Sequence, residues 1–197
     1  MSFMSLRYRH FHLNNIKKLQ VLNYLDKGFY LGVLILFSVI NVKGQISNKL
    51  ENLKSQASIM ASSFLHGDYS VYTNYMYPAI IKSMGGQLKT QQAIEKMVQG
   101  LQQRGMIMTN ITLDNPYSLL SVNKELQSTI AQHTQIIMTD GKYIETTILI
   151  AISTDDGNHW TFIDTAGKDL NTLRKAFPSL SPSLKIAPVT PPVKVDN

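Results

Sequence analysis

Two long runs of strand-like residues flank one tight-turn signal, and this pairing constrains the fold of the chain more than anything else in it. The runs are "ELQSTIAQHTQIIMT" (Glu125–Thr139) and "KYIETTILIAIST" (Lys142–Thr154), with "DG" at Asp140–Gly141 between them. Asp-Gly suits the positive backbone angles of a two-residue hairpin turn. The fold must therefore carry a long antiparallel hairpin and cover at least one of its faces. With Asp140–Gly141 as the loop, Thr139 faces Lys142. Ile137 then pairs with Ile144, Gln135 with Thr146, His133 with Ile148, and Ala131 with Ile150. The face bearing Ile144, Ile148, Ile150 and Ile152 is expected to be the buried one.

A second turn follows at "STDDGNHW" (Ser153–Trp160). It matches the Asp-box pattern S-x-D-x-G-x-x-W. There Asp155 bonds the turn backbone, Gly157 takes a positive φ and Trp160 packs beneath. Asp-boxes repeat in sialidase propellers, but a single copy reads as a structural hairpin. A three-residue loop, Asp155–Gly157, sets Trp160 beside Ile152, Phe162 beside Ile150 and Asp164 beside Ile148. His133 and Asp164 then face inward on strands separated by one other, roughly twice 4.8 Å apart. An inward carboxylate has a raised pKa, and an inward histidine is an acid or base. His133 and Asp164 are thus the candidate catalytic residues. Gln135, Thr146, Ile148, Trp160 and Phe162 are expected to line a pocket around them.

Upstream, the apolar period is helical. Ile46, Leu50, Leu53, Ala57, Met60, Ala61 and Phe64 form one stripe of about five turns. "HGD" (His66–Asp68) ends it, with Gly67 as left-handed cap and Asp68 as N-cap of the next helix. Val71, Tyr72, Tyr75 and Met76 share a face there, and Tyr72 and Tyr75 are expected to point into the pocket. Pro78 restarts a short helix that Gly85–Gly86 closes. Thr90 is the expected N-cap of a third helix, with Ile94, Met97, Val98 and Leu101 buried. After Gly105 the period becomes two, with Ile107, Thr109, Ile111 and Leu113 on one side. "YSLLSV" (Tyr117–Val122) is a further strand, "HWTFIDT" (His159–Thr165) the last, and Lys168–Phe177 a terminal helix.

Helices segregated from an antiparallel meander mean α+β. The first helix, the "GDY…Y…P" helix, the "GG" stop, the third helix and the long hairpins together resemble the nuclear-transport-factor-2-like (SnoaL-like) superfamily. The resemblance covers about Ile46–Phe177. It implies three N-terminal helices packed on a curved antiparallel sheet, forming a cone with a pocket. The superfamily includes ketosteroid isomerases, polyketide cyclases, dehydratases and non-enzymatic binding or assembly modules. In its isomerases a tyrosine and a protonated aspartate stabilise an enolate. Tyr72 or Tyr75 and Asp164 are what this chain offers for those roles, although no motif assigns them.

The ends of the chain read differently. Residues 1–44 carry six Lys/Arg and one acid, giving +5 of the chain's +6, so the basic balance says nothing of a nucleic-acid partner. "FYLGVLILFSVI" (Phe29–Ile40) is too short to span a bilayer, which takes about 20 residues. With basic residues before it and "NVKGQ" after it, residues 1–44 read as a signal peptide cleaved after Gly44. The "VKGQ" ending resembles leaders of Bacteroidota-type bacteria. The absence of cysteine excludes a lipoprotein, disulfides and a thiolate metal site. Residues 45–177 are the expected domain, and the Pro-rich residues 178–197 a flexible tail. No metal or cofactor motif is present. The expectation is an exported protein that binds a small apolar or amphipathic molecule in its cone, or dimerises through its sheet. The alternatives are a small cyclase, dehydratase or isomerase using His133 and Asp164 as acid and base, and a structural module of the cell envelope.

Overall fold

In the computed structural model, residues 44–188 and 190–195 are described. Residues 1–43, all but the last of the expected leader, lie outside them. The chain divides into two units between Ser47 and Asn48, and the sheet with the residues packed on it belongs to the second.

The order is α1 (residues 44–65), α2 (Tyr69–Asn74), α3 (Pro78–Ser83), α4 (Gln87–Gln103), β1 (Ile107–Leu113), β2 (Leu120–Val122), β3 (Glu125–Met138), β4 (Gly141–Ser153), β5 (Thr161–Asp164), α5 (Leu170–Ala176) and β6 (Val193–Val195). The fold is α+β, with one open six-stranded antiparallel sheet. Its strands run β1-β3-β4-β5, with β2 also on β3 and β6 on β4. The edge of β5 is covered by the link from α2 to α3: the Phe162 N–H donates to the Tyr75 carbonyl at 2.7 Å, and the Tyr77 N–H to the Phe162 carbonyl at 3.0 Å.

Local chemistry sets the boundaries. Asp68 caps α2 by accepting the Val71 N–H, and Pro78 opens α3 at the position where a missing N–H costs nothing. Gly86, at φ 101°, stands at the N-cap of α4. Helix α4 therefore begins three residues before Thr90, the expected cap. Thr90 is instead buried in the first turn, donating to the Gly86 carbonyl at 2.9 Å.

Both faces of the β3–β4 hairpin are buried. On one, Leu53, Ala57 and Met60 of α1 pack with Ile130, Leu149, Ala151, Trp160 and Phe162. On the other, Ile150, Ile152 and Ile163 pack with Leu173 of α5 and with Leu180 and Leu184. Residues 178–188, expected as part of a flexible tail, thus cover a face of the sheet. Their backbone has no regular partner, so side chains serve it. Gln127, fully buried, donates to the Ser179 carbonyl at 3.0 Å and accepts from the Ser181 N–H at 2.9 Å. Thr129 donates to the Lys185 carbonyl at 3.0 Å. An irregular segment can be buried when its polar groups are paired in this way.

Two registers differ from expectation. In β3–β4, Met138 pairs with Gly141, Gln135 with Ile144, His133 with Thr146 and Ala131 with Ile148. This is a shift of two, which leaves every side chain on its expected face. In β4–β5, Leu149 pairs with Asp164, Ala151 with Phe162 and Ile152 with Thr161. This is a shift of one, which moves Trp160, Phe162 and Asp164 to the α1 side. The expected register rested on placing Trp160 and Phe162 with the isoleucines. The α1 side buries them equally well.

Replacing Leu180 with Ala removes a fully buried side chain and should destabilise the protein by about 2–4 kcal/mol in denaturant unfolding. An unchanged midpoint would mean that the segment after Phe177 does not pack on the sheet.

Candidate functional site

The α1 side of the sheet is not uniform along its length. Toward the β4–β5 turn it is apolar. Toward the other end it carries, in adjacent cross-strand rows, Asp164 beside Leu149, Gln132 beside Thr147 and Thr134 beside Glu145. Met60, Ala61 and Phe64 of α1, Tyr72 of α2 and Met97 of α4 stand over this polar end. From β1 come Met108 and Ile111, which share a face because a bulge lies between Met108 and Asn110. These groups line a cavity of about 180 Å³ that is partly open to solvent. Pockets for drug-sized ligands begin near ~300 Å³, so this one suits a smaller molecule, with room for about six waters at liquid density.

The electrostatics follow from that setting. Burial raises the Asp164 carboxyl above the usual carboxylate range, while the Ala166 N–H and the charge of Lys168 pull it down. The Ala166 N–H donates to its Oδ1 at 2.8 Å. Asp164, at the end of its strand, is still reached by water. Burial first, and the Asp164 charge second, push the Tyr72 hydroxyl up to about 12, so it stays protonated at neutral pH. The Tyr72 ring packs on Phe64, with centroids 5.1 Å apart. The Thr147 hydroxyl oxygen is buried and has no hydrogen-bond partner. A neutral hydroxyl left so costs about 1–3 kcal/mol.

Of the residues expected in the pocket, Tyr72 and Asp164 line this cavity. Tyr75, Trp160 and Phe162 belong to the apolar core beside it. His133, Gln135, Thr146 and Ile148 occupy the opposite face of the sheet. There the His133 Nδ1 lies 2.9 Å from the Thr146 hydroxyl and its Nε2 3.2 Å from Asp114. His133 and Asp164 therefore do not share a cavity, and the expected acid–base pair is not assembled. Sequence reasoning missed Gln132, Thr134, Glu145 and Thr147. The available signal was their alternation with Ala131, His133, Thr146 and Ile148: both faces carry polar residues, so neither is a simple solvent face.

The Asp-box loop is built as the pattern implies. Asp155 accepts from the Ser153 hydroxyl and the His159 N–H, both at 2.9 Å, and Gly157 has φ +89°. The Trp160 indole donates to the Gly157 carbonyl at 3.1 Å. One polar edge of α1 grips the loop. Asn52 donates to the Gly157 and Asn158 carbonyls at 2.7 and 3.0 Å, and the Trp160 N–H donates to Gln56 at 2.9 Å. Lys49 pairs with Asp156.

No protein-family model and no curated protein matches this chain. Among the described residues, no group of three or more His, Asp or Glu could hold a metal ion, and no helix is long and apolar enough to cross a membrane.

The His159 N–H and ring, with Ser153, hold Asp155 down to about 2. A depressed carboxyl contributes stability that is present above its unfolded value and lost as pH falls through about 2. Asp155→Ala should therefore cost about 1–2 kcal/mol at pH 7. The gap from wild type should close between roughly pH 4 and pH 2. A pH-independent gap in thermal unfolding would rule out this carboxylate as the loop's organiser.

Proposed function

We propose that this protein is a small-molecule binding module whose ligand sits in the cavity between α1, α2 and the polar end of the sheet. The observation that carries this reading is the set Gln132, Thr134, Glu145, Thr147 and Asp164 lining a partly open cavity opposite apolar helical residues. Among the described residues the Thr147 hydroxyl is a buried polar atom left without a partner there, and such a group costs free energy that a packed apolar wall would avoid. A ligand with one polar and one apolar side supplies the missing partner. The same reading takes residues 1–44 as an export leader and the architecture as the cone of the nuclear-transport-factor-2-like superfamily. The support for these is the apolar run Phe29–Ile40 and the order of helices and hairpins.

The test is ligand-observed NMR with amphipathic molecules of under about ten non-hydrogen atoms. Wild type should bind at least one class. Ala61→Phe, which fills the cavity from α1, and Thr147→Met, which fills it from β4, should abolish that binding in folded protein. Binding that survives both substitutions would place the ligand elsewhere.

A second reading has one observation behind it. Tyr72 and Asp164, which the resemblance offers for enolate stabilisation, line one cavity with Glu145, a carboxylate able to act as base. That reading requires α-proton exchange of a small ketone in D2O, lost in Glu145→Gln. Exchange at the same rate in wild type and Glu145→Gln would dispose of it.

A further inference from the structure

Charge narrows the class of ligand. The cavity lining holds two carboxylates, Glu145 and Asp164, and no lysine, arginine or histidine. Neither carboxylate enters an ion pair among the described residues. Lys168 attracts Asp164 but does not line the cavity. An anionic ligand would meet two like charges. A neutral one would leave half-buried Glu145 without a counter-charge, and Asp164, which water reaches, with only the Ala166 N–H and the attraction of Lys168, a less favourable arrangement. A cation removes that disadvantage. It also gains from the faces of Phe64 and Tyr72 and from the polarisable sulfurs of Met60 and Met97.

The register adds a length. Asp164 stands opposite Leu149, four residues along β4 from Glu145. At about 3.3 Å per residue, with about 4.8 Å between strands, their Cα atoms lie roughly 14 Å apart. Two side chains reaching inward leave a gap too wide for one ammonium group to contact both carboxylates. Thr147 stands midway along β4 with its buried hydroxyl unpartnered.

We propose that the cavity binds a short aliphatic diammonium ion, with one end on Glu145, the other on Asp164 and the hydrocarbon between them under Met60, Phe64 and Tyr72. This rests on the binding reading above and specifies its ligand. A chain of about four carbons fits both the gap and the 180 Å³ of space.

The experiment is titration of the full chain with butane-1,4-diamine, butylamine, butan-1-ol and butyrate, followed by isothermal calorimetry and by NMR at neutral pH. The diamine should bind most tightly and butyrate not at all. Glu145→Gln and Asp164→Asn should each weaken the diamine at least tenfold, toward the butylamine affinity, and leave butan-1-ol unchanged. The amide introduced by Asp164→Asn keeps an oxygen for the Ala166 N–H, so the fold should be retained, and thermal unfolding checks this. If butan-1-ol binds as tightly as the diamine, or if both substitutions leave diamine affinity unchanged, the diammonium inference falls while the binding module stands. If none of the four probes binds, both fall.

Discussion

The structure depends on one constraint: toward the β4–β5 turn the β3–β4 hairpin is apolar on both sides, so both sides must be covered. A lone hairpin is at best marginally stable in water. Here the covers come from opposite ends of the chain. Helix α1 brings Leu53, Ala57 and Met60 to one side. The other is closed by α5 and the irregular segment that follows it, through Leu173, Leu180 and Leu184. Burial of each leucine is worth about 1.5–3 kcal/mol. The second cover also needs Gln127 and Thr129, whose side chains replace the hydrogen bonds that a helix or strand would have made for itself.

That division of labour is what frees one end of the α1 side for chemistry. Where Ile130, Leu149 and Ala151 meet Leu53 and Ala57, the interior is apolar and closed. Asp164 ends the row of Ile130 and Leu149; one row further along the inward positions become Gln132 and Thr147, and the next adds Thr134 and Glu145. The helical residues opposite remain apolar. Such a mismatch between floor and roof cannot be packed shut without leaving polar groups unpaired. The result is a cavity, and it is polar on one wall only.

Much of the fold was legible because it is written in local patterns. The α1 stripe, the Asp68 cap and the change of period after Gly105 each act over a few residues, and each appears in the structure; the two-residue hairpin turn appears too, but at Thr139–Asp140, with Gly141 already in β4. The site was less legible because it depends on parity across two turns. A slip of two in β3–β4 left every face intact. A slip of one in β4–β5 reversed Trp160, Phe162 and Asp164. Apolar pattern could not decide that second register, because Ile150 and Ile152 on one side and Leu149 and Ala151 on the other are equally buried. The missing fact was the second cover. Proline-rich composition suggested a flexible tail, but it does not imply the absence of packing, and Val193–Val195 of the same tail form β6. Leu180, Leu184 and Ile186 were the visible signal.

The Asp-box loop therefore matters to the cavity although it lies at the far end of the strands. Seven residues, Thr154–Trp160, link β4 to β5 in place of the expected three-residue loop. The length of this link, with the grip of Asn52 and Gln56 on Gly157, Asn158 and Trp160, sets the parity of β5. A slip of one residue would bring Ile163 to the α1 side and send Asp164 to the side of Leu173 and Leu180. The cavity would then lose one of its two carboxylates, and the carboxylate would be buried among leucines at a cost of several kcal/mol. A motif at the far end of the strands thus fixes which side chain β5 presents to the cavity. It does so from α1, the helix that also roofs the cavity through Met60, Ala61 and Phe64. Floor and roof are aligned by the same helix, which is how a short four-residue strand can hold Asp164 in place on the cavity wall.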